Sequence, residues 1–189
     1  MGGGLGIGST SSRLRSPSID KPNDTFARYN LHKNHPFWQL QGGYNFVFKK
    51  RIVSGVVAHL GKFAGSLSGS HLISDPNYDQ SFAGKISNKF HAGSFIRTGF
   101  LTKYYLAYVG VGVIYDRVCA KRFGGNYPIT NEKSTFNPAL ALGFEAPLTK
   151  QWNVGVNSTF YHAKTKHGRL AGLIVKNDIS VLTLNAIYH

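Results

Sequence analysis

The stretch Tyr104 to Tyr115 runs for 12 residues without a charge, and it constrains the fold more than any other part of the chain. In an extended strand, successive side chains point to opposite faces. One face then carries Tyr105, Ala107, Val109, Val111, Val113 and Tyr115, while the other holds Gly110 and Gly112. The two internal glycines weigh against a helix, and the stretch is shorter than the roughly 20 apolar residues of a membrane helix. Tyr105 and Tyr115 stand ten positions apart, about 33 Å at roughly 3.3 Å per residue. Inclined by about 40°, that length rises about 25 Å, the height of the apolar band on a membrane-spanning β-barrel between its aromatic girdles. The outer face of this strand is suited to lipid.

Seven other segments read as strands: 2–10, 37–48, 52–64, 90–100, 136–146, 152–162 and 179–188, with 104–117 as the fifth in order. The second places Trp38, Leu40, Tyr44, Phe46 and Phe48 on one face and Gln39, Gln41 and Asn45 on the other. The sixth turns Phe136, Leu140, Leu142 and Phe144 outward. In the third strand the faces are not assigned. Short turns at Lys49-Lys50-Arg51, Leu101-Thr102-Lys103 and Leu148-Thr149-Lys150-Gln151 alternate with long polar connections. These run through Pro17 and Asn23 to Pro36, from Ser66 to Lys89, through Gly124 and Pro128, and through a Lys/Gly-containing loop before Ile179. Eight strands in up-and-down order with alternating short and long links predict a closed antiparallel barrel. Closure also removes the unpaired edges on which open sheets aggregate. The 189 residues are expected to form one domain.

A mean hydropathy of −0.18 fits such a barrel, because only alternate residues meet lipid. The net charge of +14, from 22 Lys and Arg against 8 Asp and Glu, is unevenly spread. Arg13, Arg15, Lys21, Arg28 and Lys33 fall in the first long connection, Arg117, Lys121, Arg122 and Lys133 flank the third, and Lys164, Lys166, Arg169 and Lys176 surround the fourth. A basic rim at one end of the barrel attracts anionic headgroups; a merely solvated loop surface is the alternative. Binding of nucleic acid is not expected, since the basic residues lack interleaved stacking aromatics. Cys119 is alone, which excludes an internal disulfide. No signal-peptide pattern follows Met1, so an exported chain would be a mature form, or a fragment, with a start Met.

The closing residues Leu182, Leu184, Ala186 and Tyr188 alternate with Val181, Thr183, Asn185 and Ile187. This pattern resembles the C-terminal strand of outer-membrane proteins, although His189 follows the aromatic that usually comes last. Residues Tyr108 to Tyr115 and Leu142 to Val156 likewise resemble strands of the OmpA/OmpX-type β-barrel superfamily, and the resemblance extends over nearly the whole chain. It implies an all-β, eight-stranded antiparallel up-and-down transmembrane barrel in the bacterial outer membrane, with short periplasmic turns, long extracellular loops and no separate periplasmic domain. Trp38, Tyr105, Tyr115, Phe144, Trp152 and Tyr188 become the interfacial girdle. Outer-membrane lipid, lipopolysaccharide and a host or envelope surface ligand become the partners of a monomer without a cofactor. A soluble lipocalin-like barrel shares the alternation, but its outer face would be polar.

Arg97 and Glu145 fall on the inward face, each a few residues before a short turn and at similar depth. Barrels of eight strands are filled by side chains, and buried charges need partners. The two are therefore expected to pair, with Gln39, Gln41 and Asn45 completing a polar plug; a gated small-solute channel is the alternative. Glu145 reads as the one carboxylate well inside a strand, which speaks against hydrolysis by paired carboxylates. His32 and His35 lack the further ligands that zinc requires, so no metal is expected. Some eight-stranded barrels are lipid A-modifying enzymes that use a His and a Ser on one strand and an acid from the next. Here Phe160-Tyr161-His162-Ala163-Lys164 has no Ser at that spacing, and Asp178 is the candidate to orient His162 across the loop. Without a nucleophile the pair is incomplete, and a non-enzymatic role is expected. Gly4-Leu5-Gly6-Ile7-Gly8 and Gly61-Lys62-Phe63 both fail the nucleotide-binding patterns.

Overall fold

A computed structural model describes residues 1–17, 25–49, 51–72, 81–123, 129–167 and 173–188. It contains strands β1 (Gly2–Pro17), β2 (Thr25–Phe48), β3 (Ile52–Phe63), β4 (Leu67–Leu72), β5 (Ser81–Leu101), β6 (Leu106–Phe123), β7 (Ile129–Pro147), β8 (Trp152–His167) and β9 (Leu173–Tyr188). All pairings are antiparallel, and β3 bonds to β5 while β1 bonds to β9, which closes a ring of eight strands. The ninth, β4, prolongs the stave of β3 beyond a break at Ala64-Gly65-Ser66 and pairs with the upper part of β5. The eightfold closed barrel expected from the sequence is thus present, with its third stave in two pieces.

The register fixes the strand tilt. From Leu40 the cross-strand partners run through Leu60, Ala92 and Tyr115 to Phe136 on β7. In the other direction they run through Gly3, Ala186 and Val154 to Ala146 on the same strand. The two routes meet β7 at positions 136 and 146, a stagger of ten residues. Closure with such a shear requires strands inclined by about 40° to the barrel axis.

Three turns close the lower end. Two share the sequence Leu-Thr-Lys, and the threonine explains both. Thr102 Oγ1 accepts the N–H groups of Tyr104 and Tyr105, and Thr149 Oγ1 accepts those of Gln151 and Trp152, so the hydroxyl takes up donors that the tight turn leaves free. In the remaining turn Lys49 adopts a φ of 47°, a left-handed conformation that is uncommon away from glycine.

Two faces of opposite character result. The outward side chains of Leu184, Ile96 and Phe136 are 65%, 67% and 73% exposed, and such residues form an apolar belt around the wall. On β3, Val53, His59 and Phe63 point inward and Val56 and Leu60 outward, which settles the faces of that strand. Inside, Phe37, Phe63, Phe95, Ile114 and Tyr161 pack into one buried cluster.

The strands continue far above the belt, into the segments expected from sequence as long loops. Polar residues on both faces of a strand look like loop composition, which is why the extension was not legible. Above the belt the ladder between β2 and β3 ends at Phe37 and Phe63, next to Pro36, and that between β7 and β8 ends at Ala139 and Tyr161, next to Pro138. Proline offers no N–H to a ladder, so the wall divides at these two seams. A second buried cluster, Ile86, Val118, Ala120 and Val175 with Leu31 against it, joins the two halves.

Candidate functional site

The interior holds two polar layers. In the lower one Arg97 Nη1 donates to Glu145 Oε1 at 2.5 Å and Arg97 Nε donates to Asn45 Oδ1 at 3.1 Å. Tyr108 lies beneath the guanidinium, whose carbon is 4.6 Å from the ring centre. Arg97 and Glu145 are 8% and 2% exposed. Gln39 is also buried and donates to Thr183 and Asn185 at 3.2 and 2.9 Å. Gln41 faces the same interior, beside a small internal cavity that Arg97 and Asn157 also line. Of the residues proposed from sequence as a plug, Arg97, Glu145 and Asn45 are joined by hydrogen bonds and Gln41 shares a cavity with Arg97, whereas Gln39, six residues from Asn45 on β2, bonds to Thr183 and Asn185 instead.

The upper layer joins residues that no sequence spacing links. His59 Nε2 and His91 Nε2 share a hydrogen bond of 2.9 Å, and His91 Nδ1 lies 3.2 Å from Asp116 Oδ1 and 3.1 Å from the Tyr161 hydroxyl. Tyr161 donates to Asp116 Oδ1 at 3.2 Å, and Asn137 Nδ2 reaches its second oxygen at 3.5 Å. Asp116 is fully buried within β6. The expectation that Glu145 is the one carboxylate well inside a strand is thereby corrected: Asp116 sits where the fifth predicted strand seemed to end. The signal available in the sequence was phase, since Asp116 shares the face of Ile114, Gly112 and Gly110.

Aromatic rings mark both edges of the belt. Tyr105 stacks on Phe144 with centroids 4.7 Å apart, and Trp152 meets Tyr188 at 5.3 Å, near the short turns. Tyr115 packs with Phe136 at 5.1 Å at the opposite edge, where the outward Trp38 also stands.

The basic residues assigned to loops stand mostly on the strand walls above the belt. Arg13 and Arg15 are on β1, Arg28 and Lys33 on β2, Arg117, Lys121 and Arg122 on β6, Lys133 on β7, Lys164 and Lys166 on β8, and Lys176 on β9. Lys21 and Arg169 lie outside the described residues. Arg117 pairs with Glu132 at 2.6 Å, and Lys33 Nζ approaches the Ser66 carbonyl at 3.5 Å. Lys164, Lys176 and Arg13 are direct cross-strand neighbours in one row of the outer wall.

Just below that row His162 Nδ1 lies 2.6 Å from Asp178 Oδ1, and Arg13 Nη2 donates to Asp178 Oδ2 at 3.1 Å. The contact expected across a loop is instead a cross-strand pair of β8 and β9. The hydrogen bond from His162, joined by that from Arg13, outweighs partial burial and holds the Asp178 carboxyl below its ordinary range. A carboxyl lowered in this way stabilises the fold above its unfolded pKa, and the contribution disappears as the pH falls through the folded value. His162 and Asp178 are both about half exposed, so the effect is local and small. Amide protection in the upper β8–β9 hairpin is expected to fall below about pH 4, and Asp178→Asn should remove that dependence in a hydrogen-exchange series.

An open groove beside this pair is lined by Ser9, Ser11, Ser180 and Phe160. Among the described residues no group of three or more His, Cys, Asp and Glu is placed to hold a metal. Cys119 is buried and free.

No protein-family model and no curated protein matches the chain. Solved structures do. The outer membrane protease OmpT from Escherichia coli superposes with a TM-score of 0.59 at 7% identity, covering 100% of this chain and 96% of that one. The outer membrane protein OprG from Pseudomonas aeruginosa gives 0.55 at 14% identity, covering 99% and 94%. The fold is that of a bacterial outer-membrane β-barrel. Within it, the barrel described here has its lumen filled by side chains at two depths and its charge placed on the wall above the belt.

Proposed function

We propose that this barrel resides in the bacterial outer membrane and acts without catalysis, holding an anionic surface ligand on the basic wall above its apolar belt. The observation that supports this most is the row Lys164–Lys176–Arg13. Like charges set directly opposite one another on adjacent strands repel, and one carboxylate, Asp178, serves both Arg13 and His162. An anion spanning the row relieves that repulsion. A saccharide bearing several phosphate or sulfate groups fits it, whether from lipopolysaccharide or from a host or envelope surface. Nucleic acid is not assigned as a partner, and the barrel is taken to act as a monomer. Binding of a sulfated oligosaccharide to the barrel in micelles, followed by calorimetry, should weaken with added salt. The variant Lys164→Glu/Lys176→Glu should bind at least tenfold more weakly. Unchanged affinity in that variant would exclude the wall as the binding surface.

One observation favours a catalytic second reading: the 2.6 Å bond between His162 and Asp178, with three serine hydroxyls along the same groove. Release of fatty acid from lipid A by the folded barrel, abolished by His162→Ala, would replace the non-enzymatic reading. Absence of release would leave the binding role.

A further inference from the structure

The apolar belt is interrupted by a concavity on the outer wall, away from the basic row. Its floor is formed by Gly42, Ala58 and Ser94, consecutive cross-strand neighbours on β2, β3 and β5. Leu60, Tyr115 and Phe136 wall it on the side of the upper belt edge, and its volume is about 660 Å³. That size falls within the roughly 300–1,000 Å³ of small-ligand sites. A Cβ built on Gly42 meets no atom within 4 Å, so the space is open at its floor. Two residues beyond Leu60, on the same face of β3, the exposed Lys62 stands opposite Trp38. Arg13, His91, Arg97, Arg117 and His162 make ion pairs with carboxylates, and among the described residues Lys62 does not.

We infer that this concavity, with Lys62 two residues beyond Leu60 on the same face, seats one lipid A molecule of the outer leaflet, an acyl chain in the hollow and a phosphate on the ammonium. The inference rests on the membrane reading above. A hollow inside a lipid-facing belt is filled by hydrocarbon, because wall atoms facing a void forfeit their dispersion contacts. A lysine at the aromatic edge extends its ammonium into the headgroup layer, where phosphate is the complementary anion. Leu60 and Lys62 are two residues apart, roughly 7 Å along the strand, so one lipid reaches both. Neither feature alone selects a ligand; together they select an anionic lipid over a zwitterionic one.

The test uses the whole chain refolded in micelles with bisphosphorylated, hexa-acylated lipid A and phosphatidylethanolamine in equal amounts, and native mass spectrometry to count retained lipid. The wild type should keep one lipid A per barrel. Gly42→Leu, which fills the hollow from its floor, should lower retention at least tenfold. Lys62→Gln, on the exposed face, should lower it severalfold and should bind phosphorylated and dephosphorylated lipid A alike. Retention of lipid A no better than of phosphatidylethanolamine in the wild type, or unchanged retention in both variants, would overturn the seat. Heat-dependent gel mobility of each sample separates this failure from failure of the membrane reading, which alone would abolish the mobility shift in the wild type.

Discussion

Replacing Arg97 by alanine should cost the folded barrel about 3–5 kcal/mol, the usual penalty for stranding one half of a buried ion pair. Glu145 is 2% exposed and draws its strong hydrogen bond from Arg97 Nη1. Without the guanidinium its charge lies in the lumen with no other ion-pair partner among the described residues, and Asn45 loses the Nε donor at 3.1 Å. Tyr108 also loses the cation over its ring. Removing both charges together, as in Arg97→Met/Glu145→Gln, should restore much of the loss, because the desolvation of two ions is removed along with their attraction. Urea unfolding in micelles, followed by tryptophan fluorescence, measures each step. A single variant as stable as the wild type would mean that the pair is solvated. The same variant discriminates the channel alternative. His91, Phe37, Phe63 and Phe95 still fill the lumen above, so planar-bilayer recordings of Arg97→Ala should show no conductance steps. Steps in that variant would favour a gated pore.

The second large effect is expected at Asp116. Its Oδ1 is the common acceptor for the Tyr161 hydroxyl and the His91 ring at 3.2 Å each. Asp116→Ala leaves buried donors without that acceptor, at about 1–3 kcal/mol apiece, and opens a gap between β6 and β8. A loss of about 3 kcal/mol or more is expected, whereas Asp116→Asn, which keeps one carbonyl acceptor, should lose less. Equal stability of Asp116→Ala and the wild type would show that the cluster is not held together through this carboxylate. Because the cluster points into the lumen while Lys164, Lys176 and Arg13 stand on the outer face of the wall, anion binding by the basic row should survive in either variant.

The outer face of this barrel was readable because lipid imposes one rule on every strand. Val109, Val111 and Val113 between Tyr105 and Tyr115 carry that rule in a single segment, and Leu182, Leu184 and Tyr188 repeat it. The pairing partners of Arg97 and Glu145 were readable for a related reason: each is a charge on a face otherwise made of glycine and small residues. The upper polar layer was hidden because it is assembled from β3, β5, β6 and β8, with His59 and Tyr161 far apart in the chain. No local spacing links such residues; only the register does. The basic residues were found but misplaced, since strands that leave the membrane no longer alternate apolar with polar. Lys164 and Lys166 point out from β8 around a buried Thr165, a period-two pattern written in charge rather than in hydrophobicity. The break after Phe63 and the seams beside Pro36 and Pro138 depend on ladder hydrogen bonds, which proline and glycine positions hint at but do not locate.

The apolar belt is expected to meet lipid, and the most direct measurement is refolding of the chain into phospholipid vesicles, with gel mobility compared before and after boiling. A closed barrel keeps its β-structure in unboiled sample and migrates differently once boiled, and that shift, with β-type circular dichroism, is the predicted result. A chain that is folded, monomeric and soluble in buffer without detergent, and that leaves the vesicles unoccupied, would contradict it.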